Sequence, residues 1–285
     1  MRSAPGRLLL SVLALCCAAC TGSASPTTIS TTTSLPGSTS TLPPPIDCPG
    51  AGDFEEGGGI ADVEGELSDS SLLGSISWDV NDRCESFVFE FETSEGAPAT
   101  SVPDIQIGHL DSFQVIRISL GVNAAVLTDQ LVETDLVERL YVVRSLEGGL
   151  FVDLHLSSPA GARARVQSSP ATLTVDLRPG LVEFVGTAET GENVVLVSPT
   201  PATEVGTTTE LSGYSRTFEA NVTVIVTQID EVVVETSTIA ADYIETWGEF
   251  RTELTLPPGD VSVFVGEASP EDGSLSGITV DLTVS

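Results

Sequence analysis

Few side chains in this sequence offer chemistry, and their spacing decides what they could do. Two histidines occur. An imidazole acting as a general base or metal ligand needs a carboxylate, hydroxyl or second ligand placed beside it, and neither histidine shows one. His109 follows Gly108 near a turn. His155 sits between Leu154 and Leu156, so it projects from the opposite face of a strand and is expected to meet solvent. No Gly-x-Ser-x-Gly, His-Glu-x-x-His or phosphate-binding loop occurs. Asp79-Val80-Asn81-Asp82 has the opening of a calcium loop but carries Glu85 where the loop needs glycine. Glu267, Glu271 and Asp272 could likewise gather around calcium, but the Pro-Glu-Asp-Gly segment that holds the last two reads first as a turn. The expectation is therefore no catalytic residue, no metal site and no cofactor. Cys48 and Cys84 are expected to pair as a disulfide if the chain is exported, with two free thiols as the alternative. The loop of roughly 35 residues would add roughly 3–4 kcal/mol in the chain-entropy account. Tyr214, Tyr243, Trp247 and Phe250 would form a sugar- or protein-binding patch if exposed together; core packing is the alternative for Trp247 and Phe250.

The remaining three cysteines lie near the start. Arg2 and Arg7 precede an apolar run, Leu8–Cys20, that ends in Ala18-Ala19-Cys20. A positive start, a short apolar core and small residues before a cysteine describe an export signal. The run is too short for a spanning helix, which needs about 20 residues. Cys20 and its two preceding alanines resemble the lipobox of bacterial lipoproteins; Cys17 departs from that pattern, which usually has an aliphatic residue there. The resemblance implies a signal peptide over 1–19 and acyl chains on Cys20. Two or three chains hold far better than one, since each buried methylene adds about 0.8 kcal/mol. Localisation is expected to be extracytoplasmic, anchored to the bacterial cell membrane.

Composition narrows the partners. The net charge is −30, and all 11 basic residues are arginine. Nucleic acid is excluded as a partner, because phosphate contacts need clustered cations. Acidity keeps an exported protein soluble and apart from its neighbours. The hydrophobic fraction of 41% supports real cores, and abundant Val and Thr lean towards strands.

Residues 20–47 hold the cysteine and then Thr, Ser and Pro almost alone. Such a segment buries nothing and is expected to be a disordered tether. Beyond it the period-two signal begins. In 48–180, Asp53–Ser71 reads as irregular, followed by strands around Ile76, Phe87–Phe91, Gln114–Leu120, Val137–Ser145, Leu150–Ser157 and Leu173–Leu177. Gly148-Gly149 supplies the hairpin turn between two of them. Ala124–Thr134 is the one segment that reads as a short helix. Arg83-Cys84-Glu85-Ser86-Phe87-Val88-Phe89-Glu90-Phe91, Leu146-Glu147-Gly148-Gly149-Leu150 and Ser169-Pro170-Ala171-Thr172-Leu173-Thr174-Val175-Asp176-Leu177 resemble the AMIN-like domains of bacterial envelope proteins, over about 70–180. That resemblance implies a non-catalytic module that directs a protein to the cell wall.

After a linker at 181–191, residues 192–285 present seven short strands with turns between them, the pattern of an immunoglobulin-like sandwich. Phe218, Ala220, Val222, Val224 and Val226 share one predicted face. Ser198-Pro199, Leu211-Ser212-Gly213, Thr217-Phe218-Glu219-Ala220-Asn221-Val222, Trp247-Gly248-Glu249-Phe250, Leu256-Pro257 and the turn Gly266–Ser274 resemble the Gmad-type immunoglobulin-like domain of bacterial spore germination. The resemblance implies a binding or assembly module, without establishing a spore role. The expected fold is all-β: two consecutive antiparallel β-sandwich domains, the second immunoglobulin-like. The expected function is non-enzymatic binding or scaffolding in the cell envelope, contacting peptidoglycan or envelope proteins. A calcium-dependent adhesion module and an accessory subunit of a cell-wall enzyme are the alternatives.

Overall fold

The computed structural model describes Cys48 and residues 52–65, 67–81, 83–269 and 271–285. The signal segment, Cys20 and the tether lie outside the described residues. In chain order the first strands are β1 (Gly59–Val63), β2 (Leu72–Val80), β3 (Glu85–Glu92), β4 (Ile105–His109), β5 (Val115–Leu120), β6 (Ala124–Ala125), β7 (Asp129–Leu131), β8 (Val137–Arg144), β9 (Leu150–Leu156), β10 (Ala160–Gln167) and β11 (Thr172–Pro179). There follow β12 (Glu189–Thr190), β13 (Val194–Ser198), β14 (Glu204–Val205), β15 (Thr208–Ser215), β16 (Asn221–Gln228), β17 (Glu231–Ile239), β18 (Trp247–Thr255), β19 (Gly259–Ala268) and β20 (Leu275–Val284). Among the described residues no helix is long and apolar enough to cross a membrane.

The all-β expectation holds, in three sheets. One five-stranded sheet runs β10-β11-β3-β2-β6, and another runs β14-β20-β19-β16-β17. The third is ten-stranded, β1-β4-β5-β9-β8-β18-β15-β13-β12, with β7 also on β8. It serves both sandwiches. Its β1–β9 part packs on β2, β3 and β11 around Phe87, Phe89, Phe91, Ile116, Ile118, Leu140 and Leu154. Its β13–β18 part packs on β16, β19 and β20 around Leu196, Leu211, Val222, Val224, Phe250, Val263 and Val280. The two parts join at a short parallel pairing of β18 with β8, Trp247 against Val143 and Gly248 against Arg144.

Alternation places most of these residues. In β3 the phenylalanines at every second position are buried, at 0%, 0% and 1% exposure. In β2 a bulge at Gly74 breaks the period, so Leu73 pairs with Phe91 while Ser75 pairs with Glu90, and Leu73 and Ile76 are the buried pair. A Cβ at Gly74 would meet the Glu92 side chain.

Three expectations fail locally. Ala124–Thr134 forms β6 and β7 instead of a helix, because Ala124-Ala125 pairs in parallel with Leu72-Leu73 and Asp129–Leu131 pairs with β8; tertiary pairing overrides a weak local preference. Within Asp53–Ser71, Gly59–Val63 forms β1 against β4. Phe218 does not share the buried face of β16: Phe218–Ala220 is a 3₁₀ turn with Glu219 at φ 55°, and the Phe218 ring is 63% exposed.

Candidate functional site

The faces of the shared sheet that point away from the two sandwich cores meet each other at the junction. Tyr141 and Val143 of β8, Phe151 of β9, Val195 and Val197 of β13, Tyr214 of β15 and Trp247 of β18 form a third buried cluster. Its rings pack edge to face or tilted. Tyr141 lies 5.1 Å from both Tyr214 and Trp247, centroid to centroid, and 5.0 Å from His155. Such geometries add about 0.5–1.5 kcal/mol per pair beyond area burial. His155 Nε2 and the Tyr214 hydroxyl share a hydrogen bond across the junction, and the Trp247 indole N–H donates to Asp129 Oδ1 at 3.2 Å.

A run of alternating charges continues from this cluster. Asp153 is wholly buried and accepts two bonds from Arg117, both at 2.8 Å. The Arg117 guanidinium lies 3.8 Å above the Phe151 ring. Burial alone would lower the Arg117 pKa; the Asp153 charge outweighs it, and the net shift is upward. Arg117 also reaches Glu249 at 3.8 Å, Arg251 reaches Glu249 at 3.3 Å, and Arg251 reaches Glu210 at 3.6 Å. Glu249 further accepts from Ser145 Oγ and the Leu146 N–H, each at 3.0 Å. One carboxylate of the second sandwich thus holds the hairpin turn of the first. Beyond these pairs the junction opens as a cleft of about 630 Å³, walled by Ser112, Thr208 and Ser212 among others. Ligand sites favour such domain boundaries. The cleft is polar, and its walls combine hydroxyl groups with the paired charges of Arg117, Glu249, Arg251 and Glu210 and with Asp111, a lining suited to hydrogen bonding with a polar ligand.

The residues singled out in the sequence fall in different places. Tyr214 and Phe250 are 0% exposed and Trp247 is 4% exposed, so they do not form a surface patch with Tyr243, which is 36% exposed. Tyr214 and Trp247 belong to the junction and Phe250 to the second core. His155 points away from Leu154 and Leu156 as expected, yet it is buried rather than solvated, because the second sandwich covers that face. His109 is half-buried, 6.3 Å from the Phe113 ring. Its ring nitrogens have no partner of normal hydrogen-bond geometry, although backbone groups of Glu55 and Phe113 lie nearby.

Cys48 and Cys84 are both buried and held as thiols; the expected disulfide is not formed in this structure. They are neighbours all the same. Burial first, and the adjacent Cys84 second, push the Cys48 thiol up to about 12. Asn81 Oδ1 accepts from the backbone N–H groups of Arg83 and Cys84, at 3.0 and 3.1 Å. That makes the segment a capped turn; Asp82 lies outside the described residues. Glu267 accepts from the Phe218 N–H at 2.8 Å and Asp272 from the Ser274 N–H at 3.0 Å. No group of three or more metal-ligating side chains occurs among the described residues.

With this geometry in hand, residues 193–274 match the family described as the immunoglobulin-like domain of bacterial spore germination, Gmad2. The matched span covers β13 to β19 of the second sandwich and ends just before β20. No curated protein and no solved structure matches the chain.

Two outcomes follow from the site. Burial lowers the His155 pKa to about 4, against about 6.5 in an unfolded chain. Asp153 pulls it up, while Arg117 and Arg139 push it down further. Between those values the unfolded chain binds a proton that the folded chain refuses. Stability is therefore fully present above about pH 6.5 and falls towards pH 4, by up to about 3 kcal/mol. Thermal melts from pH 7.5 to 4 should show this loss, and His155→Gln, which keeps a partner for Tyr214, should flatten it; an unchanged slope would remove His155 as the cause. For the cysteines, exposure to a mild thiol oxidant should close a Cys48–Cys84 bond. Intact mass would fall by the two hydrogens lost, and peptide mapping would locate the link. Thiols that remain fully alkylatable after folding in oxidant would show that the pair does not close.

Proposed function

We propose that this protein is a lipid-anchored, extracytoplasmic and non-enzymatic binding or scaffold protein of the bacterial cell envelope. Cys20 carries the acyl chains, the Thr/Ser/Pro segment is the tether, and peptidoglycan or envelope proteins are the partners. The single observation that carries this reading is the match of residues 193–274 to an immunoglobulin-like germination domain, following a segment with the features of an export signal. The junction adds to it. Two β modules that share a sheet and bury a common aromatic cluster present their surfaces in one fixed geometry, as a scaffold requires. The reading of residues 70–180 as an AMIN-like wall-directing module is part of the proposal.

The calcium-dependent alternative has no observation in its favour, since Glu267 and Asp272 are engaged with backbone N–H groups. Fractionation of cells producing the full chain is expected to place it in the membrane, with Cys20→Ala released to the soluble exterior. Purified mature protein should be retained by isolated cell wall or by envelope extract. Retention by neither would remove the binding assignment, and a Cys20→Ala protein that stays in the membrane would remove the anchor.

A further inference from the structure

The strands that end the three sheets are unequal. β6, β12 and β14 are two residues long and β1 is five. β10 has eight, but Glu55 bridges to its Ala162, with backbone bonds of 2.9 and 2.8 Å in the two directions. β17 has nine residues and lies at the end of its sheet beyond β16. Natural proteins blunt long edges with lysine, proline, short strands or covering segments. β17, Glu231-Val232-Val233-Val234-Glu235-Thr236-Ser237-Thr238-Ile239, contains no lysine, arginine or proline, and none of its residues is fully buried. A register shift blunts only its first part, at Val232–Val234.

The alternation of the ladder shows which backbone groups of β17 have no partner among the described residues. The Ala240 N–H donates to the Ala220 carbonyl. The register continues through Val222 with Thr238 and Val224 with Thr236, so those residues bond inward in the alternating antiparallel pattern. Glu235, Ser237 and Ile239 therefore turn their N–H and C=O groups outward. Their side chains also lie on the outer face. Val232, Val233 and Ile239 are 58%, 41% and 61% exposed. At the hairpin tip, Ile229 is 92% exposed at φ 50°, a strained conformation for a β-branched residue. The charges beside these groups, Asp230, Glu231 and Glu235, are all negative.

We propose that β17 is a docking edge for an extended segment of another polypeptide that alternates basic with apolar residues, added antiparallel as a further strand. Backbone bonds would give the affinity and side-chain alternation the specificity, as in other strand additions. A basic residue would lie across from Glu235, where opposite charges are favourable and like charges are not; Glu231, on the far side of the register shift, adds to the negative field at the start of the strand. A second copy of this chain fits less well, since it sets an acidic strand against an acidic strand in a protein of net charge −30.

The test uses the mature protein and two end-blocked nine-residue peptides, one alternating Val with Lys and the other Val with Glu. Fluorescence anisotropy at low salt should show the lysine peptide binding at least tenfold more tightly, with slowed amide exchange at Glu235, Ser237 and Ile239. The double variant Glu231→Lys/Glu235→Lys should reverse the preference. Ser237→Pro, which removes one outward N–H, should weaken both peptides. Circular dichroism melts check that each variant remains folded. Binding of neither peptide, equal binding of both, or protection elsewhere would overturn the proposal. So would a concentration-dependent dimer in sedimentation that is lost in Ser237→Pro while neither peptide binds. None of these outcomes bears on lipid anchoring or wall retention, which are measured separately.

Discussion

Trp247 and Gly248 pair in parallel with Val143 and Arg144, and the rest of the molecule depends on that contact. Two sandwiches linked in sequence would ordinarily move independently, since interfaces between domains of one chain resemble transient ones. Here a hydrogen-bonded join turns two half-sheets into one. The join also brings their outer faces together, so side chains that would each be solvated bury one another. Gly248 is needed for the approach: a Cβ there would overlap the backbone of Asp242. The Asp242 side chain in turn binds the N–H groups of Tyr243 and Ile244, at 2.6 and 2.9 Å. Burial opposes its ionisation, but these bonds outweigh it and hold its pKa down. Arg144 reaches the same carboxylate from the first sandwich at 3.9 Å.

The arginines explain how so acidic a chain tolerates buried charge. Arg163 and Arg165 both bind the fully buried Asp176 at 3.0 Å, and Arg117 does the same for Asp153. Isolated, either carboxylate would cost several kcal/mol to bury. Removing one partner of such a pair costs more than the pair contributes, so the arginines act as fixed struts, each tied to a particular strand register. Arg163 and Arg165 lie on β10 and Asp176 on β11, locking that edge; Arg117 and Asp153 lie on adjacent β5 and β9, beside the junction. Much of the remaining negative charge is left at the surface, where it repels other acidic molecules and favours a cationic partner.

How much of this was legible in the sequence depended on the range of the interaction. β3, β17 and β20 were readable because alternation is local and their faces differ sharply. β10 was hard to see because its buried residues, Ala160, Gly161, Ala162 and the ion-paired Arg163, are small or charged and carry little apolar signal. β2 was readable as a strand, but the bulge at Gly74 changed which residues face inward. The junction was the deepest failure, and an instructive one. Alternation says which side chains share a face; it does not say what covers that face. Tyr141, Asp153, His155, Tyr214 and Glu249 all occupy positions opposite a core, where solvent is the usual neighbour. Their burial comes from a pairing between strands far apart in sequence, for which no local signal exists. The aromatic types are a clue: Tyr214 and Trp247 read as part of a patch only if exposed together, with core packing the alternative for Trp247, and the fold buries both at the junction.

A rigid pair of modules has a different binding economy from two beads on a string. When the modules are fixed, a ligand touching both loses its freedom once, and the second contact adds without a further ordering cost. The polar cleft beside Glu249 and Arg251 lies where such a ligand would reach both sandwiches, and its walls come from β5, β15 and β18 alike. The β17 edge belongs to the second sandwich alone and, as proposed, would engage backbone rather than side chains. With the proposed strand edge, the cleft would make two recognition surfaces of different chemistry on one body. A polar cleft and an open acidic strand differ in chemistry and lie on different elements, so on the proposed reading a partner held at one would leave the other open, as a scaffold joining two different components requires.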